Sequence, residues 1–203
     1  MTGIIIKGIA GFYYVKTKDD MVYQCRARGI FKKDGIVPMV GDRVEITVLP
    51  DGDAVVDQIL PRKNEFIRPP VANVDTFVIV AAAKNPDPNL GIIDKFLVMA
   101  EKNRTEIILC INKSDLAKAD ELEMVKAVYK SVYPVYCVSA VKPETILPLE
   151  QALAGRNVAL AGPSGAGKST ILNVLQRSEL METGHVSSKT GRGRHTTRHA
   201  ELF

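Results

Sequence analysis

The chain has 203 residues, enough for one large domain or two small ones. Its composition, 46% hydrophobic and 25% charged, is that of a soluble globular protein, and its apolar runs are too short to span a bilayer. We see no signal peptide, and three widely spaced cysteines favour neither a disulfide framework nor a zinc site. These features predict a cytoplasmic protein with reduced thiols. The net charge of +4 is compatible with nucleic-acid binding but is also common in proteins without it.

The first 60 residues consist of short strand-like runs separated by turn residues. The runs lie at residues 4–6, 11–15, 21–27, 43–48 and 54–59. Five short antiparallel strands with no convincing helix predict a small barrel, of which the OB-fold is the commonest. A β-domain that binds nothing fits this pattern equally well, because a fold does not imply a function. The Pro- and Arg-rich connector at residues 61–70 predicts a domain boundary, which we place between residues 68 and 69.

From residue 74 onward the pattern changes to apolar strands that alternate with amphipathic helices. The strand-like runs lie at residues 76–81, 106–111, 134–138 and 157–161. Helical faces are formed by Ile92, Ile93, Phe96, Leu97 and Ala100, and then by Leu122, Val125 and Tyr129. Such strands and helices predict a mostly parallel sheet with helices on both faces.

Residues 162–169 match the phosphate-loop pattern G-x-x-x-x-G-K-[ST]. Such a loop must connect a strand to a helix, since phosphates bind backbone N–H groups at the helix N-terminus, and both flanking elements are predicted here. A chance match in a chain of this length is expected about once in a hundred. Lys168 can reach the β- and γ-phosphates, and the Ser169 hydroxyl can bind Mg²⁺. The candidate phosphate-binding residues are Gly162, Pro163, Ser164, Gly165, Ala166, Gly167, Lys168, Ser169 and Thr170.

Residues 112–115 have the form N-K-x-D and follow directly after a predicted buried strand. Ligands of doubly wound sheets bind at that edge, and an Asp carboxylate can accept two hydrogen bonds from guanine that adenine cannot donate. The next strand ends in Ser-Ala, a pair whose backbone amides cover the base in many GTPases. The alternative is a polar turn with no ligand. The candidate guanine-binding residues are Asn112, Lys113, Ser114, Asp115, Ser139 and Ala140.

The order of these two motifs is unusual, because the guanine motif precedes the phosphate loop. In an ordinary small GTPase the phosphate loop opens the domain, so the inverted order indicates circular permutation. With these motifs the chain resembles the circularly permuted ribosome-small-subunit-dependent GTPases, bacterial assembly factors with an N-terminal OB-fold. Residues 68–75 and 191–199 are similar to the beginning of that family's GTPase domain and to its first switch. The resemblance implies an RNA-binding OB-fold barrel at residues 1–68 and a permuted P-loop GTPase domain at residues 69–203.

The same resemblance implies an activity, a cofactor and partners. The expected activity is GTP hydrolysis, with Mg²⁺ as cofactor and GTP or GDP as ligand, during late assembly of the small ribosomal subunit. The subunit and its rRNA would be the partners and would stimulate hydrolysis, and we expect a monomer with no membrane attachment. Thr196 or Thr197 would close on the γ-phosphate as the switch threonine, and Thr197 is a candidate Mg²⁺ ligand.

Basic and aromatic residues of the predicted barrel and linker are candidates for rRNA contacts. Phosphate contacts are expected from Arg26, Arg28, Lys32, Lys33, Arg62, Lys63 and Arg68. Tyr13, Tyr14, Tyr23 and Phe31 could stack on bases, although aromatic residues at such positions more often belong to the core.

Two features of that family are missing from the sequence. The chain has no aspartate after Asp120, so it lacks the D-x-x-G turn of GTPases, and no Cys and His cluster matches the family's C-terminal zinc domain. We therefore expect a fragment, with impaired hydrolysis and with Zn²⁺ bound only in a missing domain, and the catalytic residue stays unassigned. Two other functions remain open. One is an RNA-binding module with little or no hydrolysis, and the other is a guanylate-kinase-like enzyme, whose phosphate loop is similar to residues 162–170.

Overall fold

The computed structural model describes residues 1–33, 35–50 and 53–176, except for the side chains of Lys32 and Lys33. The chain forms two compact units, one from Met1 to Val74 and one that begins at Asp75. The linker predicted at residues 61–70 is folded into the first unit. The candidate switch residues Thr196 and Thr197 lie outside the described residues.

Five strands of the first unit close into a barrel. They are β1 (Thr2–Ile9), β2 (Phe12–Thr17), β3 (Val22–Ala27), β4 (Arg43–Val48) and β5 (Ala54–Ile59). Their order around the barrel is β1-β2-β3-β5-β4, and β4 pairs with β1 to close it. The predicted five-stranded barrel is confirmed with two corrections. β3 and β5 run parallel, and a five-residue helix, α1 (Gly29–Lys33), lies where no helix was predicted.

Alternation along the strands divides the side chains between the barrel interior and its outer surface. The interior holds Ile5, Val15, Cys25, Phe31, Val40, Val44, Ile46, Ala54 and Val56. Tyr13 and Tyr23 pack against this cluster. Phe31 therefore belongs to the core, Tyr13 and Tyr23 are partly buried against it, and base stacking by these two tyrosines stays a prediction. Tyr14 lies on the opposite side of its strand, because it stands between two residues that face the interior.

The linker and the two residues after it pack on the barrel as a short hairpin that the sequence did not predict, formed by β6 (Glu65–Phe66) and β7 (Val71–Ala72). Asn73 fixes this hairpin with both ends of its amide. Its Nδ2 donates to the carbonyl oxygen of Gly41 at 2.9 Å, and its Oδ1 accepts from the N–H of Lys63 at 2.8 Å. Hydrogen bonds to backbone groups do not depend on the partner side chains, so they hold the linker in one register against the barrel.

Gly41 marks a close approach between the hairpin and the barrel. Its φ of 88° lies in the left-handed region, and a Cβ there would lie 2.1 Å from the carbonyl oxygen of Ala72. We expect Gly41→Ala to lower the free energy of unfolding by about 1–3 kcal/mol, because the backbone at residue 41 or at Ala72 must move to make room for the Cβ. Urea denaturation measures this loss. Gly29→Ala is the control, since a Cβ at Gly29 meets nothing within 4 Å, and equal losses in the two variants would contradict the prediction.

The second unit is built on four parallel strands joined by helices. The strands are β8 (Thr76–Ala82), β9 (Glu106–Asn112), β10 (Val135–Cys137) and β11 (Val158–Ala161), in the sheet order β10-β9-β8-β11. The helices are α2 (Leu90–Lys102), α3 (Ala119–Tyr129), α4 (Leu147–Leu153) and α5 (Lys168–Leu175). The predicted parallel sheet is confirmed, and α4 is a helix that the sequence did not predict. Every residue of β8 is buried, as expected of a strand covered on both faces.

The core of this unit joins the sheet to its helices. Val78 and Val80 of β8 pack in one cluster with Ile108 of β9, Leu149 of α4 and Ile171 of α5. In the described part of the chain, no helix combines the length and the apolar character needed to cross a membrane. Because the strands are parallel, their carboxyl ends meet at one edge of the sheet, and the two nucleotide motifs follow strands at this edge.

Candidate functional site

The guanine motif begins at the last residue of β9. Asn112 is only 1% exposed, and Lys113 adopts the left-handed conformation with φ of 61°, which turns the chain sharply after the strand. The N–H of Ser114 then donates to the carbonyl oxygen of Val138, just beyond β10, at 3.0 Å. The motif is therefore folded against the end of the neighbouring strand.

Asn112 connects three segments of the site. Its Nδ2 donates to the carbonyl oxygen of Ala166 at 2.9 Å, and its Oδ1 accepts from the N–H of Ala140 at 3.2 Å. Ala166 belongs to the phosphate loop and Ala140 to the Ser-Ala pair. One buried amide thus joins the phosphate loop and the Ser-Ala pair to the guanine motif. Asn112 and Ala166 are 54 residues apart in the sequence. This connecting role is not visible in the motif itself.

Asp115 lies beside the Ser-Ala pair. Its Oδ1 accepts a hydrogen bond from the hydroxyl of Ser139. Ser139 is held in turn by Thr145, whose Oγ1 accepts from the N–H of Ser139 at 2.8 Å and donates to the carbonyl oxygen of Lys142 at 2.7 Å. The sequence did not indicate Thr145. A turn brings it next to Ser139 and Lys142, and no sequence motif marks that turn.

Lys113 reaches the loop that follows β8. Its ammonium donates to the carbonyl oxygen of Asn85. Burial lowers the pKa of Lys113, and the nearby Asp115 carboxylate opposes that shift. The same loop is tied to α3 by an ion pair of 2.9 Å between Lys84 Nζ and Glu121 Oε1. The loop after β8 is therefore a neighbour of the guanine motif that the sequence did not indicate.

The phosphate loop connects β11 to α5, as the sequence predicts. A Cβ at Gly162 would lie 2.0 Å from the carbonyl oxygen of Val80, and a Cβ at Gly167 would lie 2.3 Å from Nδ2 of Asn112. Both glycines also have positive φ, at 145° and 87°. The loop can pass this close to β8 and β9 only because these positions lack a side chain.

Lys168, Ser169 and Thr170 form the first turn of α5. The Lys168 ammonium donates to the carbonyl oxygens of Gly162 at 3.0 Å and Pro163 at 2.9 Å. Burial lowers the pKa of Lys168. Two neutral carbonyl groups do not cancel its charge, so the protonated ammonium suits a phosphate.

The donor set fits a magnesium ion held chiefly by phosphates. Mg²⁺ usually takes one or two protein oxygens together with phosphate oxygens and water, and the Ser169 hydroxyl is such an oxygen. Among the described residues, no group of three His, Cys, Asp or Glu side chains could hold a metal by itself. The second candidate ligand, Thr197, lies outside the described residues.

Comparison with known proteins links both units to one family. Family models match the RsgA N-terminal domain over residues 2–56 and the RsgA GTPase over residues 59–203. The small ribosomal subunit biogenesis GTPase RsgA of Agathobacter rectalis is 45% identical over 216 residues, and that of Clostridium beijerinckii is 48% identical over 204 residues. Both matches cover 100% of this chain, and they cover 72% and 70% of the two relatives.

Two solved structures share the fold. YjeQ from Thermotoga maritima is 38% identical with a TM-score of 0.75, over 86% of this chain and 64% of that chain. YloQ, a circularly permuted GTPase, is 36% identical with a TM-score of 0.70, over 85% of this chain and 63% of that chain. The chain thus spans less than two thirds of either structure. The barrel, the parallel sheet and the inverted motifs agree with these matches, and the chain belongs to the RsgA GTPase family.

Proposed function

We propose that this chain binds GTP and GDP with Mg²⁺ and hydrolyses GTP during late assembly of the small ribosomal subunit. The names of its relatives assign small-subunit biogenesis to those proteins. The observation that supports the proposal most directly is the pair of hydrogen bonds made by Asn112, which fastens the phosphate loop and the Ser-Ala pair to the guanine motif. A base-reading segment and a phosphate-binding segment at one sheet edge can hold the two ends of one nucleotide.

The guanine end of the nucleotide is assigned to the segments joined by Asn112. The Asp115 carboxylate would accept the N1–H and the exocyclic amine of guanine, a pair of donors that adenine does not present. The backbone of Ser139 and Ala140 would lie against the base, and the Ala140 N–H would have to leave Asn112 Oδ1 to donate to it. The Asp115–Ser139 hydrogen bond would keep the carboxylate oriented before the base arrives.

The phosphate end is assigned to residues 162–170. For the phosphates to bind, the Lys168 ammonium must exchange its two carbonyl partners for phosphate oxygens. Its partly desolvated position strengthens that interaction, because a charge in a low dielectric attracts an anion more strongly than in water. Mg²⁺, held by Ser169 and a switch threonine, would supply charge neutralisation on the phosphates. The residue that orients the attacking water stays unassigned.

The proposed partners are the small ribosomal subunit and its rRNA, with the protein acting as a cytoplasmic monomer. The zinc ion expected of a further domain stays a prediction. Hydrolysis is tested by measuring phosphate release from GTP with and without purified small subunits, with large subunits as the control. We expect acceleration by small subunits only, together with a rise in melting temperature in GDP but not in ADP. Guanine-specific stabilisation without hydrolysis would favour the RNA-binding alternative, and the absence of both effects would overturn the proposal.

Exchanging Asp115 for Asn is expected to change the base preference from guanine towards xanthine. The amide keeps one acceptor but presents an NH₂ donor, which suits the C2 carbonyl of xanthine and repels the C2 amine of guanine. Hydrogen bonds to charged groups contribute roughly 1.5–3 kcal/mol, so GDP affinity should fall at least about tenfold. Calorimetric titration with GDP and xanthosine diphosphate measures both changes. Asp120→Asn, in the first turn of α3, is the matched control, and unchanged GDP preference in Asp115→Asn would remove Asp115 from base reading.

A further inference from the structure

Asp115, the residue to which we assign guanine recognition, is exposed just beyond the end of β9. Its Oδ1 accepts a hydrogen bond from the hydroxyl of Ser139, which limits how the carboxylate can turn. A carboxylate has about four acceptor positions, so this contact leaves both oxygens able to accept from a base. Guanine presents its N1–H and its amine side by side, so both oxygens must lie near the plane of the base. The position of Ser139 therefore decides whether the carboxylate can pair with guanine.

Ser139 is positioned by a side chain. It is only 1% exposed, so its backbone N–H needs an acceptor within the protein. That acceptor is Oγ1 of Thr145, at 2.8 Å. A buried N–H that ends on a hydroxyl moves with the side chain that carries the hydroxyl. Thr145 therefore controls where the Ser139 backbone lies.

The same hydroxyl fixes the other end of the turn at residues 139–142. Thr145 Oγ1 donates to the carbonyl oxygen of Lys142 at 2.7 Å, and the N–H of Lys142 donates to the carbonyl oxygen of Ser139 at 2.9 Å. A hydroxyl can donate one hydrogen bond while it accepts another, so both contacts of Thr145 can exist together. The turn is thus held at both ends by one oxygen atom.

Thr145 is itself anchored to the core of the sheet. It is the last residue of a single 3₁₀ turn, Pro143–Thr145. The next residue, Ile146, is 1% exposed and packs with Leu149 of α4 in the core cluster of this unit. The core therefore fixes the backbone of Thr145, and the hydroxyl transmits that position to Ser139.

We propose that Thr145 is a positioning residue for guanine recognition, which holds Ser139 where its hydroxyl aligns the Asp115 carboxylate with the base. This inference rests on the proposed function, because the orientation of Asp115 matters only if Asp115 reads the base. Thr145 contacts neither the base nor the phosphates in this assignment. Its hydroxyl is therefore expected to affect discrimination between bases, and not only the affinity for nucleotides in general.

The test compares GDP with inosine diphosphate, which lacks the exocyclic amine of guanine. A hydrogen bond to a charged group is strong enough that the parent should prefer GDP at least about tenfold. Thr145→Val keeps the shape of the side chain and removes the hydroxyl. We expect the preference to fall to about threefold or less, because a misaligned carboxylate loses the bond to the amine. Calorimetric titration of the full chain with each nucleotide measures the ratio of the two Kd values.

Three further variants make the result specific. Thr145→Ser keeps the hydroxyl and should retain the preference of the parent. Thr105→Val is the matched control, because Thr105 is also buried and its hydroxyl donates to the carbonyl oxygen of Ala100 at 3.2 Å, next to the start of β9 and at the opposite end of that strand from Asn112. It should keep the preference even if it melts at a lower temperature. Melting temperatures establish that each variant is folded, and Thr145→Ala decides the matter if Thr145→Val does not fold.

Two results would overturn this role of Thr145. They are a parent-like preference for GDP in folded Thr145→Val, and an equal loss of affinity for both nucleotides, which would make the hydroxyl purely structural. If Asp115→Asn abolished the preference while Thr145→Val kept it, the proposed function would stand without this role. A parent that binds neither nucleotide, or both equally, would overturn the proposed guanine site and the role of Thr145 with it.

Discussion

Replacement of Asn112 by Asp is expected to weaken GDP binding at least about 100-fold. In the wild type Nδ2 donates to the carbonyl oxygen of Ala166 at 2.9 Å, so a carboxylate would place an acceptor against an acceptor. The side chain is only 1% exposed, and a charge there is costly to desolvate. Leaving one buried group unsatisfied costs roughly 1–3 kcal/mol, with more for a charge, and about 2.7 kcal/mol corresponds to 100-fold in affinity. Calorimetric titration with GDP measures the effect.

The matched control for this exchange is Asn73→Asp. Asn73 is also buried, at 8% exposure, and it uses its amide in the same way, to donate to a carbonyl group and to accept from an N–H. The control should lose stability to a similar extent but keep its affinity for GDP. If Asn112→Asp also kept its affinity while melting at a lower temperature, the hydrogen bonds of Asn112 would be structural only.

Replacement of Arg62 by Met is expected to lower the free energy of unfolding by about 3–5 kcal/mol. The Asp42 side chain is 0% exposed, and the guanidinium meets it at two points, Nε to Oδ1 at 2.7 Å and Nη2 to Oδ2 at 2.8 Å. Without Arg62, the N–H of Met39 would remain as a hydrogen-bond donor to that carboxylate, at 2.7 Å. A buried charge without its counter-charge is strongly destabilising. Urea denaturation measures the change.

Two further variants make the Arg62 result specific. Arg28→Met breaks an ion pair with Asp57 in which the arginine side chain is 56% exposed, and it should cost no more than about 1 kcal/mol. The double variant Arg62→Met with Asp42→Asn removes the orphaned charge and should recover most of the lost stability. Equal losses of stability in Arg62→Met and Arg28→Met, or no recovery in the double variant, would contradict the prediction. The buried charge of Asp42 would then not be the main cause of the lost stability.

Local signals in the sequence were sufficient for the strands of the barrel and of the parallel sheet, and for the two nucleotide motifs. The runs at β4 and β5 coincide with the observed strands, because alternation and flanking turn residues are local properties. The guanine motif and the phosphate loop could likewise be placed at strand ends, because each directly follows a strand-like run in the sequence. The sequence could not show that Asn112 connects them, since that contact depends on the sheet order.

The phase of β2 is a second example of what local sequence leaves open. Phe12, Tyr13, Tyr14 and Val15 are all apolar or aromatic, so a period of two cannot tell which pair faces inward. Pairing with β1 and β3 decides it, with Tyr13 and Val15 towards the barrel interior and Phe12 and Tyr14 on the outer surface. Arg62 is a similar case. Its guanidinium is bound by Asp42, Glu65 and a backbone carbonyl, so we no longer propose it as a phosphate contact.

The position of β8 has a mechanical consequence for the proposed nucleotide site. The chain enters the sheet through this strand, between β9, which ends in the guanine motif, and β11, which leads to the phosphate loop. At its start Asp75 accepts hydrogen bonds from the N–H of Glu106 at 3.2 Å and, through its carboxylate, from the N–H of Asn157 at 2.9 Å. A force along β8 would act in shear on its backbone hydrogen bonds to β9 and to β11. Many hydrogen bonds would then resist the force at the same time. A pull on the start of β8 would therefore reach both halves of the proposed nucleotide site together.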